Sequence, residues 1–323
     1  MGDAGVASRL DHLVRRLRLR HLELLVKLGG VATLRGVAEQ LNLSQPAISK
    51  MLVEIEDAFG SRLFERSRQG VRPNASGEAA IHHARLVLGE LSRATDALEA
   101  MRNGASALLR LGTLPVTATV PAAIVDLRAR LPGVTVQIRE GRVQELMRRL
   151  VDGELDCVFG AVTPEGLASD SLDDIEAEVI VQDGLCVLAS AAHEPVRPGP
   201  LHWRDLAGGR WVAPPRETLV RQAFMTAFLD EGLAPPVPVI ETMSSVTIGA
   251  VMRLDPALLC AVRREHALDE LARGGVRELP VLPSVGLPPL CLFTRRGDID
   301  RPAVVDAFAQ ALRRSAGDRR RTV

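Results

Sequence analysis

The residues with the most specific chemical potential lie together near the amino end, in the run SQPAISK from Ser44 to Lys50. The Gln45 amide donates and accepts at once, which is what two bonds to the edge of an adenine require. Pro46 and Ala47 offer small apolar surfaces to a thymine methyl, Ser49 can bond a base or a phosphate, and Lys50 reaches guanine or the backbone. A second group follows in SRLFERSRQGVRPN, where Arg62, Arg66, Arg68 and Arg72 gather around a short loop. Guanidiniums there suit phosphates or a minor groove, adding salt-dependent affinity more than sequence choice. Taken alone, such a run also reads as a solvated charged surface. A third, scattered group stands at the ends of apolar runs farther along: Pro115, Thr117, Thr119, Gly160, Arg216, Thr218, Ser244, Ser245 and Arg263.

Helices must present the first group. From Leu17 to about Gly29, Leu22, Leu25 and Val26 recur at helical steps, and Gly29-Gly30 ends the segment. Thr33 can cap a second helix with Leu34, Val37, Ala38 and Leu41 on one face, closed by Asn42. Ser44 opens a third helix, with Pro46 in its first turn, where a missing N–H does no harm. Its expected inward stripe is Ile48, Leu52, Ile55 and Phe59, leaving Gln45, Pro46, Ala47, Ser49, Lys50 and Val53 outward. Two short helices across a tight polar turn make a helix-turn-helix whose third helix reads the major groove, with Thr33 and Ser44 at the helix starts joining the expected contact set. The apolar pieces flanking the arginines predict a two-stranded wing.

The run AEQLNLSQPAISKMLVEIEDAFGSRLFERSRQGVRPNASGE resembles the LysR-type transcriptional regulators. That family has an Ala-rich second helix, LxxSQPAxS opening the reading helix, xxLExxxGxxLFxR leading to the wing, and Thr-x-x-Gly-Glu entering a linker helix. This chain departs at Asn74, where Thr is usual and Asn still caps, and at Lys50, where Arg is common. An ammonium lacks the planar fork of Arg, so the second departure bears on base preference.

Between Ser76 and Arg102, Ala84, Val87, Leu91, Ala94, Leu98 and Met101 are spaced three, four, three, four, three, the seam of a coiled coil. A helix lying on its own domain is the competing reading. The resemblance implies that such helices pair antiparallel into homodimers and that full assemblies are often homotetramers.

Beyond Asn103-Gly104, short apolar strands alternate with amphipathic helices, an α/β signature. One set runs through LLRLGT, VTVQIRE and LDCVFGA, and a second through GLCVLAS, RWVAPP, VPVIET and ALLCAV. The expected organisation is an extension over 1–16, a winged helix-turn-helix over 17–75, a linker helix over 76–103 and a two-lobed α/β domain over 104–316. Lobe I is expected near 104–183 and 286–316, lobe II near 184–285, and a basic tail at 317–323. In open α/β sheets, ligands collect where strand carboxy ends meet helix amino ends. The third group of residues falls there, with Leu114, Ala161 and Thr242 beside it. Hydroxyls with Arg216 and Arg263 suit a small carboxylate, although any single Ser or Thr among them is more often a helix cap. The resemblance extends to this region, which is similar to the effector domain of the same regulators and to periplasmic solute-binding proteins. GTLPVTATV, PPRETLV and VIETMSS look most like the branch controlling aromatic-acid and sugar catabolism.

Composition bounds the rest. The 323 residues carry no net charge, yet Met1 to Ala75 hold 12 Lys and Arg against 8 Asp and Glu, so the amino end is the basic end. Cys157, Cys186, Cys260 and Cys291 stand far apart in apolar runs and read as buried thiols, not metal ligands. His82-His83 lacks further ligands for a metal. No apolar run is long enough for a membrane span and no signal sequence is evident, so a cytoplasmic location is expected. The chain shows no GxSxG, P-loop, GxGxxG after a strand, or HExxH, which argues against an enzyme, and no cofactor or catalytic residue is expected. The expected partners are double-stranded DNA, a small-molecule effector of carboxylate type, further copies of the chain and, through the resemblance, RNA polymerase. An enzymatic or solute-binding α/β domain with a minor DNA-binding module is the competing reading.

Overall fold

The computed structural model describes residues 11–30, 33–67, 70–114, 118–162, 174–193, 199–296 and 302–320. The chain divides into two compact units, Met1–Glu99 with Asp152–Glu154, and Ala100–Val151 with Leu155–Val323.

The first unit contains α1 (Leu19–Gly30), α2 (Leu34–Leu41), α3 (Gln45–Phe59), β1 (Phe64–Ser67), β2 (Gly70–Pro73) and α4 (Ala75–Arg102). Leu24, Leu25 and Leu28 of α1, Val37 of α2 and Ile48, Leu52 and Ile55 of α3 share one core with Leu63, Phe64 and Val71 of the wing and Ile81 and Ala84 of α4. Each fully buried Leu or Ile of this size stabilises the unit by about 1.5–3 kcal/mol. The turn between α2 and α3 needs a left-handed residue, and Asn42 supplies it at φ 53°. One expected core residue lies elsewhere. Phe59 is 38 % exposed and Ala58 is buried instead, because the helix ends at Gly60 and its last turn has rotated past the core.

The second unit holds two lobes built on one nine-stranded sheet. In lobe I, β3 (Ala107–Thr113), α5 (Thr119–Arg130), β4 (Val134–Glu140), α6 (Val143–Val151) and β5 (Cys157–Gly160) make two parallel crossovers with strand order β4-β3-β5. In lobe II, β6 (Ile175–Ser190), β7 (Leu201–His202), β8 (Arg210–Ala213), α7 (Leu219–Asp230), β9 (Ile240–Glu241), α8 (Ser245–Leu254), β10 (Leu258–Arg263), α9 (Arg264–Arg273), β11 (Val276–Leu279) and β12 (Val281–Leu282) follow. The strand β13 (Gly286–Arg295) then returns antiparallel beside β5, and α10 (Ala303–Arg320) packs Val305, Phe308 and Leu312 into the lobe I core. Lobe II centres on Trp203, Trp211, Phe224 and Phe228, whose rings meet edge to face.

The sixteen-residue β6 serves both lobes. It pairs with β13 from Ile175 to Gly184 and with β10 from Leu185 onward, so the chain crosses at Asp183-Gly184. The pairing of β13 slips between Leu287 and Leu290, where Pro288 and Pro289 cannot donate to the ladder. The sequence pattern starts a strand only at GLCVLAS, because a strand shared by two cores has no single periodicity. The expected basic tail is also corrected: α10 continues to Arg320, since Ala and Arg there are strong helix formers.

Candidate nucleic-acid interface and effector cleft

At the start of α3, Gln45, Pro46 and Lys50 are exposed and Ala47 and Ser49 half-buried, while Ile48 behind them is fully buried. The exposed Thr33 and Ser44 cap their helices, accepting from the Gly36 and Ala47 amides at 3.2 and 3.3 Å. Lys50 Nζ is 3.9 Å from Glu54 across one helical turn, with its side chain 80 % exposed. A pair this open and long contributes little, which leaves the ammonium available to a phosphate or base.

Glu56, absent from the expected set, ties the reading helix to the wing. Its Oε1 accepts from the amides of Leu63 at 2.8 Å and Phe64 at 3.1 Å. From there β1 and β2 pair antiparallel, Arg66 opposite Val71 and Glu65 opposite Arg72. Arg62 and Arg72 are exposed, whereas Arg68 and the side chain of Arg66 lie outside the described residues. Asn74 caps α4 as expected of its type, accepting from the Gly77 amide at 2.9 Å while its own amide donates to the Arg62 carbonyl. Gly77 follows because a Cβ there would overlap the Leu63 carbonyl oxygen.

His21 is a further residue missed in the sequence. It is buried in α1, accepts from the Arg18 amide at Nδ1, and places Nε2 3.4 Å from Glu54. Burial pushes its pKa down against the opposing pull of Glu54, which keeps the imidazole neutral at pH 7 and leaves Nε2–H pointing at the carboxylate.

The seam of α4 divides in two. Ala84 is buried in its own unit's core, whereas Val87, Leu91, Leu98 and Met101 are 44–60 % exposed.

In the second unit, strand ends from both lobes converge. Thr119, at the amino end of α5, is fully buried, and Gly160 ends β5 against Val143. Thr218 and Ser244 are helix caps, accepting from the Arg221 and Thr247 amides at 3.2 and 3.3 Å, with Ser245 opening α8. Arg216 is exposed. Pro115 and Thr117 lie outside the described residues. Arg263 is 7 % exposed and 3.2 Å from Asp183 on the crossing strand. The two charges attract, but the approach is off the hydrogen-bond direction, so Arg263 Nη1 and Asp183 Oδ2 have no hydrogen-bond partner.

Two residues here escaped sequence reasoning. Arg221, in the first turn of α7, is 4 % exposed and reaches Pro214 O at 3.3 Å and Glu241 at 3.5 Å, at the carboxy ends of β8 and β9. Its Nε has no hydrogen-bond partner, and burial pushes its pKa down against the pull of Glu241. Glu265 follows Arg263 by two residues and is bonded to Thr119. Nothing in the local pattern marks either one. His266 points away from the cleft, 3.8 Å from Glu270 inside lobe II, and burial pushes its pKa down to about 4.

Residues 102–317 match the LysR substrate binding domain, and residues 19–78 match the bacterial regulatory helix-turn-helix protein of the lysR family. The chain belongs to the LysR family of transcriptional regulators. It is 30 % identical to the HTH-type transcriptional regulator GalR of Pseudomonas putida over 90 % of this chain and 72 % of that one. The regulator GbpR of Azospirillum brasilense is 34 % identical over 72 % of this chain and 68 % of that one. Among solved structures, a full-length, singly substituted OxyR from Pseudomonas aeruginosa superposes with a TM-score of 0.59 at 22 % identity, covering 92 % of this chain and 95 % of that one. CbnR, a LysR family regulator, superposes at 0.55 and 18 % identity, covering 93 % and 99 %. These likenesses share the architecture of a helix-turn-helix, a linker helix and an α/β effector domain. The LysR-family chain is thus a DNA-binding transcriptional regulator with an effector-binding domain. Regulators of this family bind DNA and small-molecule effectors and form oligomers. No helix among the described residues is long and apolar enough to cross a membrane.

Proposed function

We propose that this regulator binds a small organic acid between the lobes of its second unit and that the acid alters how its reading helices sit on DNA. One observation supports the ligand's charge above the others: the buried Arg221 at the carboxy ends of β8 and β9 keeps an unsatisfied Nε–H. A buried guanidinium with a spare directed donor is suited to a carboxylate. Arg263 adds a second buried cation, and Arg216 an exposed one. The similarity to GalR and GbpR accords with the sugar-catabolism side of the branch suggested by the sequence, and PcaQ of Agrobacterium fabrum, 28 % identical over 94 % of this chain, with the aromatic-acid side.

In this reading Ser44, Gln45, Pro46, Ala47, Ser49 and Lys50 meet base edges and nearby phosphates. Thr33 and the arginines of the wing, Arg62, Arg66, Arg68 and Arg72, hold the backbone. The exposed part of the α4 seam pairs with a second copy, dimers associate into tetramers, and the assembly contacts RNA polymerase. The chain acts in the cytoplasm and carries out no chemistry of its own. The ligand can bias DNA binding only by its difference in affinity between two arrangements of the lobes.

Footprinting on the region upstream of the chain's own gene, with and without candidate sugar acids and aromatic acids, tests the effector. The expected outcome is a changed footprint with one acid, lost in Arg221→Ala. An unchanged footprint with every bound acid would overturn effector switching. For the reader, Gln45→Ala should lose about 1–3 kcal/mol of discrimination at one base step. Arg72→Ala should weaken specific and random DNA alike and reduce the salt slope. Equal losses on both DNAs for Gln45→Ala would show the base contacts to be misassigned.

A further inference from the structure

Lobe I presents the first turn of α5 to lobe II, and what meets it is a side chain of the protein itself. The Thr119 amide donates to Glu265 Oε2 at 3.0 Å, and the Thr119 hydroxyl lies 2.9 and 2.8 Å from Oε1 and Oε2. Thr119 is fully buried and Glu265 is 3 % exposed. The helix has no side-chain cap of its own, because Ala118 stands at its cap position. Its amino end therefore combines orphan donors and a positive dipole with a carboxylate delivered from 146 residues away.

The carboxylate is itself held in place. Glu265 lies in the first turn of α9, two residues beyond Arg263. Arg263 is influenced by both Asp183 and Glu265, which offset part of the burial that disfavours its charge. Asp183 sits on β6 where the chain crosses between lobes, and its Oδ1 also accepts the Gly184 and Arg264 amides at 2.9 and 3.0 Å. A continuous polar chain thus runs from the hinge strand through Arg263 and Glu265 to the helix of the opposite lobe. A carboxylate this buried persists only where protein donors replace its hydration.

We propose that the amino end of α5 is a carboxylate-binding site and that Glu265 is its built-in, tethered ligand, strapping the two lobes together. The site takes one carboxylate of a small, unbranched monocarboxylic acid, the chemistry Glu265 itself presents. Tethering gives that carboxylate a high effective concentration, so a free acid competes poorly until Glu265 is removed. The proposal deepens the organic-acid reading and rests on it only for the natural competitor, since the strap itself needs no effector.

The test uses the full chain without DNA, comparing wild type, Glu265→Ala, and Glu265→Ala combined with Thr119→Val. Melting is followed by fluorescence of Trp203 and Trp211, both in lobe II, during titration with sodium acetate against sodium chloride at equal ionic strength. Glu265→Ala is expected to melt about 4–10 °C lower, from the loss of charged hydrogen bonds in a domain of this size. Acetate should recover a substantial part of that shift, while wild type and the double variant gain no more from acetate than from chloride. Equal stabilisation of all three proteins, or of none, would overturn the proposal. Should Glu265→Ala fail to fold, Glu265→Gln keeps the volume, and amide hydrogen exchange at Thr119 gives the readout. Faster exchange than in wild type supports the strap, and unchanged protection overturns it. Acetate rescue with no acid-dependent footprint would leave the strap standing and remove the effector reading; the reverse result would remove only the strap.

Discussion

Glu56 offers the sharpest check on how the reading helix and the wing are coupled. A single oxygen accepts two amides, at 2.8 and 3.1 Å, from Leu63 and Phe64, which are only 2 and 5 % exposed. Truncation to Ala strands both donors where water reaches them poorly. Bonds to a charged acceptor contribute about 1.5–3 kcal/mol each, and two sharing one oxygen are not additive, so Glu56→Ala should cost about 2–4 kcal/mol. Glu56→Gln keeps an acceptor oxygen in place and loses only the charge, so its cost should be about 1 kcal/mol. The chain has no Tyr, and both Trp residues lie in lobe II, so intrinsic fluorescence does not observe the first unit. Amide hydrogen exchange over the wing, read by mass spectrometry on the full chain, is the suitable assay, joined to DNA affinity across a salt series. The expected order of wing protection is wild type, Gln, Ala, with affinity for specific and random DNA falling together. Equal damage from Gln and Ala, or protection unchanged in Ala, would refute the role assigned to the carboxylate.

Three further outcomes follow from the same reasoning. Gly77→Ala drives a Cβ into the Leu63 backbone oxygen, so α4 or the wing must shift. The cost should exceed the roughly 1 kcal/mol that helix propensity returns, and a calorimetric melt no lower than wild type would contradict it. His266 is held neutral, its pKa pushed down to about 4 from 6.5, so the unfolded chain takes up the proton first as pH falls. Its contribution is complete above about pH 6.5 and is lost toward pH 4, at most about 3 kcal/mol by the linkage relation, and His266→Leu should flatten urea-melt stability across that window. On α4, Leu91→Lys with Leu98→Lys puts two charges on the exposed stripe and should shift sedimentation toward a smaller species; an unchanged oligomer would place the contact elsewhere.

What the amino-acid sequence determined by itself is the part of the structure that closes locally. Thr33, Asn42, Ser44 and Asn74 satisfy helix ends within a few residues of themselves, and the three-and-four spacing of Val37, Ile48, Leu52 and Ile55 names the buried face before any partner is known. The reading helix, the wing and the alternation of strands and helices are legible for that reason. Phe59 departs from its stripe because spacing continues past the point where a helix leaves its core. Tertiary structure alone decided the rest. The sharing of β6 by two lobes, the pairing of Arg263 with Asp183, the depth of Arg221 and the meeting of Thr119 with Glu265 all join residues far apart in the chain. A carboxylate or guanidinium carries no mark of its partner in its neighbours along the chain, because the choice is made by burial, which leaves each charge only the groups that folding has brought within reach.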